Sequence, residues 1–141
     1  MGYYVSDGNT NLLPIKRNKV FKTLDELYSL LCEKGWEEMT AFMRSQWNPD
    51  NKCEGQCNST SLLVQEYFGG EIISYPNPNG GVEKKGHCFN RINGVDIDLT
   101  FEQFNPRLTD YADCNKIANF GYNKFSCERA AYILKKNLGL T

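Results

Sequence analysis

The order of apolar patterns along the sequence predicts an α+β fold, with helices first, a small antiparallel sheet next and a last helix near the C-terminal end. Three observations carry this prediction: a capped helical pattern at Thr23, a second helical pattern that opens at Cys57, and a hairpin signal at Asn93-Gly94. The 141 residues match the usual size of one domain, so we expect a single domain over residues 1–141.

The first twenty residues are polar and are interrupted by Gly8 and Pro14. They show no helical or alternating apolar pattern that would bury a face. We therefore expect a loosely ordered N-terminal arm over residues 1–20, or a short strand at Val20-Phe21.

Two helical patterns follow the arm. Thr23 and Glu26 match a capping box, leucines recur behind them at helical spacing, and Gly35 marks the end of this helix. A second helix is predicted over residues 36–45. Its apolar side would consist of Trp36, Met39, Phe42 and Met43.

The middle of the chain predicts a helix that leads into a sheet. A turn-rich loop over residues 48–56 precedes a helix that opens at Cys57 and ends at Gly69-Gly70, where glycine typically terminates helices. The segment Glu71–Tyr75 is typical of a strand, and the loop Pro76–Gly86 separates it from the next one.

The pair Asn93-Gly94 is the favoured sequence for a two-residue type I′ turn, which fixes the register of the flanking strands. One face of the hairpin then carries Cys88, Asn90, Ile92, Val95, Ile97 and Leu99. The other face carries His87, Phe89, Arg91, Asp96, Asp98 and Thr100. On this second face Asp98 is the diagonal neighbour of His87, at a backbone separation of about 7–8 Å, whereas Asp96 pairs with Arg91.

A last helix is predicted to start at an N-cap Ser126. Its apolar face would consist of Ala130, Ile133, Leu134 and Leu138.

Cys57, His87 and Asp98 form a candidate catalytic set. A cysteine in the first turn of a helix lies where backbone N–H groups favour the thiolate, and a nearby histidine stabilises the ion pair and protonates a leaving group. His87 is the only histidine of the chain, and Asp98 is expected to orient its ring. Each residue taken alone has a simpler explanation, since most cysteines near helix starts fill a core and most strand histidines make ordinary hydrogen bonds.

Three further residues are candidates for contacts with a substrate. Gln56 precedes the candidate nucleophile, and its side-chain amide is a candidate donor to an oxyanion. The first backbone N–H groups of the helix are candidate donors to the same oxyanion. Trp47 and Phe89 are expected to line a groove for the substrate or for a partner.

Two blocks of the sequence resemble the YunG-like bacterial proteins. The first runs from Gly55-Gln56-Cys57 to Glu71-Ile72, and the second joins the segment 87–91 to the segment 96–104. Trp47 and the late helix with Arg129, Tyr132 and Leu134 fit the same pattern. The resemblance implies that Cys57, His87 and Asp98 stand at family-defining positions in a papain-like or transglutaminase-like core. It implies a cysteine hydrolase or acyltransferase that acts on an amide, isopeptide or thioester bond.

Two other functions compete with this hypothesis. Cys53, Cys57, His87 and Cys88 offer the donor atoms that Zn²⁺ prefers, but adjacent strand residues point to opposite faces, so His87 and Cys88 do not easily share one ion. We therefore expect no metal and no cofactor. A non-catalytic binding or inhibitor module on the same fold is the other alternative.

Composition narrows the partners. Acidic and basic residues nearly balance, with a net charge of −1, and no basic face is visible, so nucleic acid is not expected. No apolar stretch reaches the roughly 18 residues that a membrane span needs. The N-terminal residues lack the pattern of a secretory signal, so we expect a cytoplasmic protein whose six cysteines are reduced. The expected partner is a peptide, protein or small acyl or amide substrate.

Overall fold

The computed structural model describes residues 2–12, 14–16, 18–76, 78 and 86–141. Within these ranges the fold is α+β, with three α-helices and a five-stranded antiparallel sheet. The helices are α1 (Leu24–Leu30), α2 (Cys57–Phe68) and α3 (Lys124–Asn137). The strands are β1 (Tyr4–Val5), β2 (Glu71–Tyr75), β3 (His87–Ile92), β4 (Val95–Asp98) and β5 (Lys116–Ile117).

The strand order in the sheet is β1-β4-β3-β2-β5. The hairpin of β3 and β4 has the register that its two-residue turn predicts, with Arg91 opposite Asp96. Asn93 and Gly94 have φ angles of 52° and 79°, the two positive values that a type I′ turn requires. The predicted register is confirmed.

Both faces of the sheet are covered. On one face, Ile92 and Ile97 join the apolar side of α2 in the main core, together with leucines of α1 and α3. On the other face, Phe89 and strand β2 pack against residues 101–114, where Tyr111 is fully buried. The sheet therefore places residues of β3 between two buried layers.

Thr23 caps α1 as predicted, since its side chain accepts a hydrogen bond from the backbone N–H of Glu26. The helix continues into a π-helical turn, Leu31–Gly35, which ends where the sequence indicates. The helix that opens at Cys57 and stops at Gly69 is also confirmed.

The predicted helix over residues 36–45 is wrong. Two single 3₁₀ turns, Glu38–Thr40 and Arg44–Gln46, stand in its place. Ala41 between them is extended, and the backbone N–H of Phe42 donates to the carbonyl of Gly55 at 2.9 Å instead of to a helical carbonyl. A tertiary hydrogen bond to the loop before α2 thus replaces the local one.

The expectations for the N-terminal arm are wrong in part. Tyr4–Val5 forms an edge strand on β4, and Tyr3 beside it is buried. No strand forms at Val20-Phe21, because the side chain of Asn18 accepts hydrogen bonds from both of their backbone N–H groups and folds a turn.

Two smaller differences concern the C-terminal half. Helix α3 begins at Lys124 after an N-cap Asn123, so the predicted N-cap Ser126 lies inside the helix. Residues 77 and 79–85 of the predicted loop Pro76–Gly86 lie outside the described residues. Of the helices in the described ranges, none combines the length and the apolar character needed to cross a membrane.

Candidate functional site

The start of α2 is fastened to the turn Glu38–Thr40. The side chain of Gln56, the residue before the helix, is fully buried; its amide nitrogen donates to the carbonyl of Glu37 at 2.8 Å, and its amide oxygen accepts from the Thr40 hydroxyl at 2.7 Å. Ser59 in the first turn donates to the carbonyl of Thr40 at 2.9 Å. These bonds hold Cys57, the first residue of α2, in a fixed position at the positive end of the helix dipole.

His87 opens strand β3, and Asp98 closes strand β4 beside it. The ring nitrogen Nε2 of His87 donates to Asp98 Oδ2 at 2.6 Å, and both side chains are buried. The predicted pairing of His87 with Asp98 is confirmed. Asp96 has a different partner, since its Oδ1 accepts from Arg91 Nε at 2.5 Å. Phe104 packs edge-on against the imidazole, with ring centroids 4.8 Å apart.

The carboxylate of Asp98 accepts four hydrogen bonds. Besides His87, the Tyr111 hydroxyl donates to Oδ2 at 2.8 Å. The backbone N–H and the hydroxyl of Thr100 donate to Oδ1 at 3.1 and 3.0 Å. A buried charge is tolerated only when it is paired and fully hydrogen-bonded, and this one is.

Cys57 and His87 shift each other's pKa in opposite directions. The Cys88 thiol lowers the pKa of Cys57 well below its ordinary value; burial acts against this, and the hydrogen bond and charge of His87 reinforce it. Burial alone would lower the pKa of His87, but the charge of Asp98 and the hydrogen bonds to Asp98 and Cys57 raise that pKa to about 10. Both shifts favour a thiolate at Cys57 and an imidazolium at His87.

Cys88 is a participant that the sequence reasoning missed. It follows His87 on β3, and its sulfur lies 3.3 Å from Asn58 Oδ1, the same atom that lies 3.6 Å from the Cys57 sulfur. Cys88 is the largest cause of the lowered pKa of Cys57. The pKa of Cys88 is raised well above its ordinary value, first by its hydrogen bond to Cys57 and then by burial. Cys88 therefore stays a thiol. The signal in the sequence was its place directly after the histidine.

Three more residues shape the surroundings of His87. Thr100 and Tyr111 donate hydrogen bonds to Asp98. The side-chain amide of Gln103 lies between His87 and the loop before α2. Its Nε2 donates to Thr100 Oγ1 at 2.9 Å and lies 3.4 Å from His87 Nδ1. Its Oε1 accepts from the backbone N–H of Gly55 at 3.3 Å. The hairpin register already places Thr100 on the face of His87 and Asp98. No local pattern marks Gln103 and Tyr111, which lie in the single 3₁₀ turns Phe101–Gln103 and Tyr111–Asp113 between β4 and β5.

Cys57 retains 8% of its surface exposed. Together with Ile72 and Cys88 it forms a small apolar cluster, against which the partly exposed Leu62, Ala118 and Phe120 pack. A cavity of about 230 Å³ lies on the α3 side of the helix start; its wall includes Asn58 and Cys127. Asn58 is the common neighbour of the cavity and the sulfur, since its Oδ1 lies 3.6 Å from Cys57 Sγ.

Of the three predicted substrate contacts, Gln56 and Phe89 are buried away from solvent, and the role of Trp47 stays a prediction. The amide of Gln56 is buried in its bonds to Glu37 and Thr40, so it is not placed as an oxyanion donor. Phe89 is 1% exposed and belongs to the second core layer, so it does not line a groove. Trp47 donates from its indole N–H to the carbonyl of Lys52, across its own loop.

The four donors considered for zinc do not form one set. Cys53 points its thiol to Asn51 Oδ1 at 3.4 Å. In the part of the chain that the structure describes, no group of three or more His, Cys, Asp or Glu side chains has the arrangement of a metal site. All six cysteines lie in this part, and none of them forms a disulfide.

The fold and the site define an α+β protein with a buried cysteine–histidine–aspartate cluster. The chain belongs to the YunG protein family, whose model matches residues 23–138. It is similar to "Uncharacterized protein YunG" of Bacillus subtilis (strain 168), with 40% identity over 74 residues, which cover 52% of this chain and 57% of that protein. The chain thus matches a little over half the length of this curated relative. No solved structure matches it.

Proposed function

We propose that the chain is a cysteine hydrolase or acyltransferase with a papain-like or transglutaminase-like core, acting on an amide, isopeptide or thioester carbonyl. The observation that carries the proposal is the bond of 2.6 Å between His87 and Asp98 beside Cys57, whose pKa the imidazole lowers, with the cysteine on the first residue of a helix. That arrangement matches the roles of nucleophile, general acid and orienting carboxylate.

In the proposed reaction the Cys57 thiolate attacks the carbonyl carbon, and the carbonyl oxygen becomes an oxyanion. The first N–H groups of α2 have no partner within the helix and are suitable donors to that oxyanion. The imidazolium of His87 gives its Nδ1 proton to the leaving amine or thiol as the bond to the carbonyl breaks, which leaves an acyl group on the sulfur. The neutral His87 then takes a proton from water or from an acceptor amine, whose attack releases the acyl group.

The competing function is a binding module without turnover. The observation that favours it is the low exposure of Cys57, since a substrate carbonyl must reach the sulfur and 8% of the residue is open. The two functions differ in one measurable property. An enzyme requires a thiolate at Cys57 that is accessible and reactive near neutral pH, and a binding module does not.

The test is the rate at which iodoacetamide alkylates each thiol at pH 6, followed by peptide mass spectrometry. An ordinary thiol with a pKa of about 8.5 is less than about 1% thiolate at this pH. We expect Cys57 to react at least about tenfold faster than Cys32, which is more exposed and has a pKa raised by burial. Slow alkylation of Cys57, at the rate of Cys32, would favour the binding module.

A second measurement separates reactivity from turnover. Wild type and the variant Cys57→Ala are incubated with a panel of electrophilic peptides and ubiquitin-like C-terminal probes. We expect a covalent adduct at residue 57 in wild type and none in the variant, with Cys127→Ser as the control that retains the adduct. For any substrate found this way, equal turnover by Cys57→Ala and wild type would contradict the proposal.

A further inference from the structure

The site holds two thiols, and the proposed catalysis uses one. Cys57 Sγ and Cys88 Sγ lie 3.6 and 3.3 Å from the same atom, Asn58 Oδ1. The two sulfurs are therefore no further apart than the sum of these two distances. Cys88 is 3% exposed, and its thiol also lies 3.5 Å from the Ser61 hydroxyl.

The packing of α2 against β3 also brings the two residues together. The disulfide requires their Cα atoms to come within about 4.4–6.8 Å of each other. The two residues also share one apolar cluster with Ile72.

The ionisation of the two thiols differs in the direction that oxidation chemistry needs. Cys57 is the thiolate, which is the form that attacks an oxidant, and Cys88 remains protonated beside it. A small hydroperoxide is the oxidant that such a partly enclosed sulfur admits, since 8% of Cys57 is open. Cys127 approaches the same asparagine from α3 and is 2% exposed, which makes it a natural comparison.

We propose that Cys57 is a site of reversible oxidation by a hydroperoxide and that Cys88 resolves the oxidised form as a Cys57–Cys88 disulfide. The inference rests on the proposed function only in using the same reactive thiolate. The disulfide removes the nucleophile while it exists and protects the sulfur from further oxidation.

Each of the two steps conserves atoms and electrons. The Cys57 thiolate attacks one oxygen of hydrogen peroxide; an S–O bond forms, the O–O bond breaks, and the hydroxide released takes the proton of the His87 imidazolium to become water. The sulfur, now a sulfenic acid, has lost two electrons to the peroxide. The Cys88 sulfur then attacks the Cys57 sulfur; the S–S bond forms, the S–O bond breaks, and the hydroxyl leaves as water with the proton of the Cys88 thiol. A dithiol restores both thiols by exchange.

The experiment treats the reduced full chain with a small excess of hydrogen peroxide at pH 7, blocks the remaining thiols with N-ethylmaleimide and maps the peptides by mass spectrometry. We expect a linked pair of peptides that contain Cys57 and Cys88, a loss of two hydrogens from the intact mass, and full reversal by dithiothreitol. A product with Cys57 as sulfinic acid and unlinked Cys88, or with Cys57 linked to another cysteine, would overturn the inference.

Two variants sharpen the result. In Cys88→Ser we expect the sulfenic acid to persist, to be trapped by dimedone and to proceed to sulfinic acid, whereas Cys127→Ser should give the Cys57–Cys88 disulfide as wild type does. The wild-type mapping tests the inference even if Cys88→Ser fails to fold. Fast alkylation of Cys57 without the disulfide would overturn this inference and leave the proposed function standing. A Cys57 that neither alkylates nor oxidises would overturn both.

Discussion

At the scale of single residues, the site depends on a charge that the protein keeps buried. Asp98 is 2% exposed and satisfies its carboxylate with donors from His87, Thr100 and Tyr111. Without a buried negative charge, burial would favour a neutral imidazole, and the thiolate of Cys57 would lose its counter-ion. Asp98 therefore acts on the sulfur through the histidine.

The ion pair has a defined pH range. The pKa of His87 lies above its ordinary value of 6.5, so its contribution to stability is fully present below pH 6.5 and is lost as the pH rises through about 10. The lowered pKa of Cys57 has the opposite pH dependence. The contribution of Cys57 to stability is fully present above its ordinary pKa of 9.0 and is lost as the pH falls through the lowered pKa. The charged pair persists between the two folded-state pKa values.

The substitution Asp98→Asn tests this account, because it keeps the shape and removes the charge. We expect the pKa of His87 to fall, since the charge of Asp98 opposes the effect of burial, and the pKa of Cys57 to rise. The alkylation rate of Cys57 at pH 6 should drop roughly tenfold or more, as one pKa unit corresponds to a tenfold change in the thiolate fraction. The measurement is the pH profile of iodoacetamide alkylation.

The matched control is Asp96→Asn, which removes the neighbouring carboxylate that pairs with Arg91. The profile of Cys57 in this variant should stay close to that of wild type. An equal fall in both variants would mean that the alkylation rate responds to the stability of the hairpin and not to the charge at His87.

At the scale of elements, the sequence predicted those parts of the fold that short sequence signals determine. The Asn93-Gly94 turn fixes the register of β3 and β4, and that register alone distinguishes Asp98 from Asp96. The start of α2 at Cys57 was also readable, because a turn-rich loop precedes it and Gly69 ends the helix. These elements carry the three candidate catalytic residues, so the core of the site followed from the sequence.

The remaining parts of the site depend on tertiary contacts that no sequence period encodes. The segment 36–45 has helical spacing, yet Thr40 and Phe42 are used to fasten the start of α2. Gln103 and Tyr111 lie in single 3₁₀ turns between β4 and β5, in a segment that packs in the second layer of the core. The position of Gln56 directly before Cys57 predicts a donor to the oxyanion. The direction of its side chain is instead determined by its hydrogen bonds to Glu37 and Thr40.

Replacement of Thr40 by valine tests whether this fastening matters. Thr40→Val keeps the branched shape and removes a hydroxyl that donates to Gln56 and accepts from the backbone N–H of Glu37. Both partners are then left in buried or partly buried surroundings, so we expect a loss of about 1–3 kcal/mol in the free energy of unfolding. Urea denaturation measures it. Thr109→Val, at an exposed threonine, should change stability little; equal effects of the two substitutions would contradict the proposed anchor.

At the scale of the whole molecule, the two buried layers on either side of the sheet meet at the site. The main core holds α2 and hence Cys57, while the second layer of residues 101–114 holds Asp98 through Tyr111. His87 at the beginning of β3 lies between them. The family match covers residues 23–138, so strand β1 lies outside it, although β1 pairs with β4 directly at Asp98.

Tyr4 of β1 is the side chain that joins this outer strand to the site. Its ring stacks on Tyr111 with centroids 4.2 Å apart and an interplanar angle of 12°, and Tyr111 in turn donates to Asp98. In Tyr4→Ala we expect a loss of about 1–3 kcal/mol in the free energy of unfolding, because a stacked aromatic pair and its buried area are removed. We also expect slower alkylation of Cys57 at pH 6, since a less constrained Tyr111 holds Asp98 less firmly.

Tyr122→Ala, at a fully exposed tyrosine, is the control. If Tyr4→Ala matches that control in both stability and alkylation, β1 only covers a sheet edge and has no influence on the ion pair.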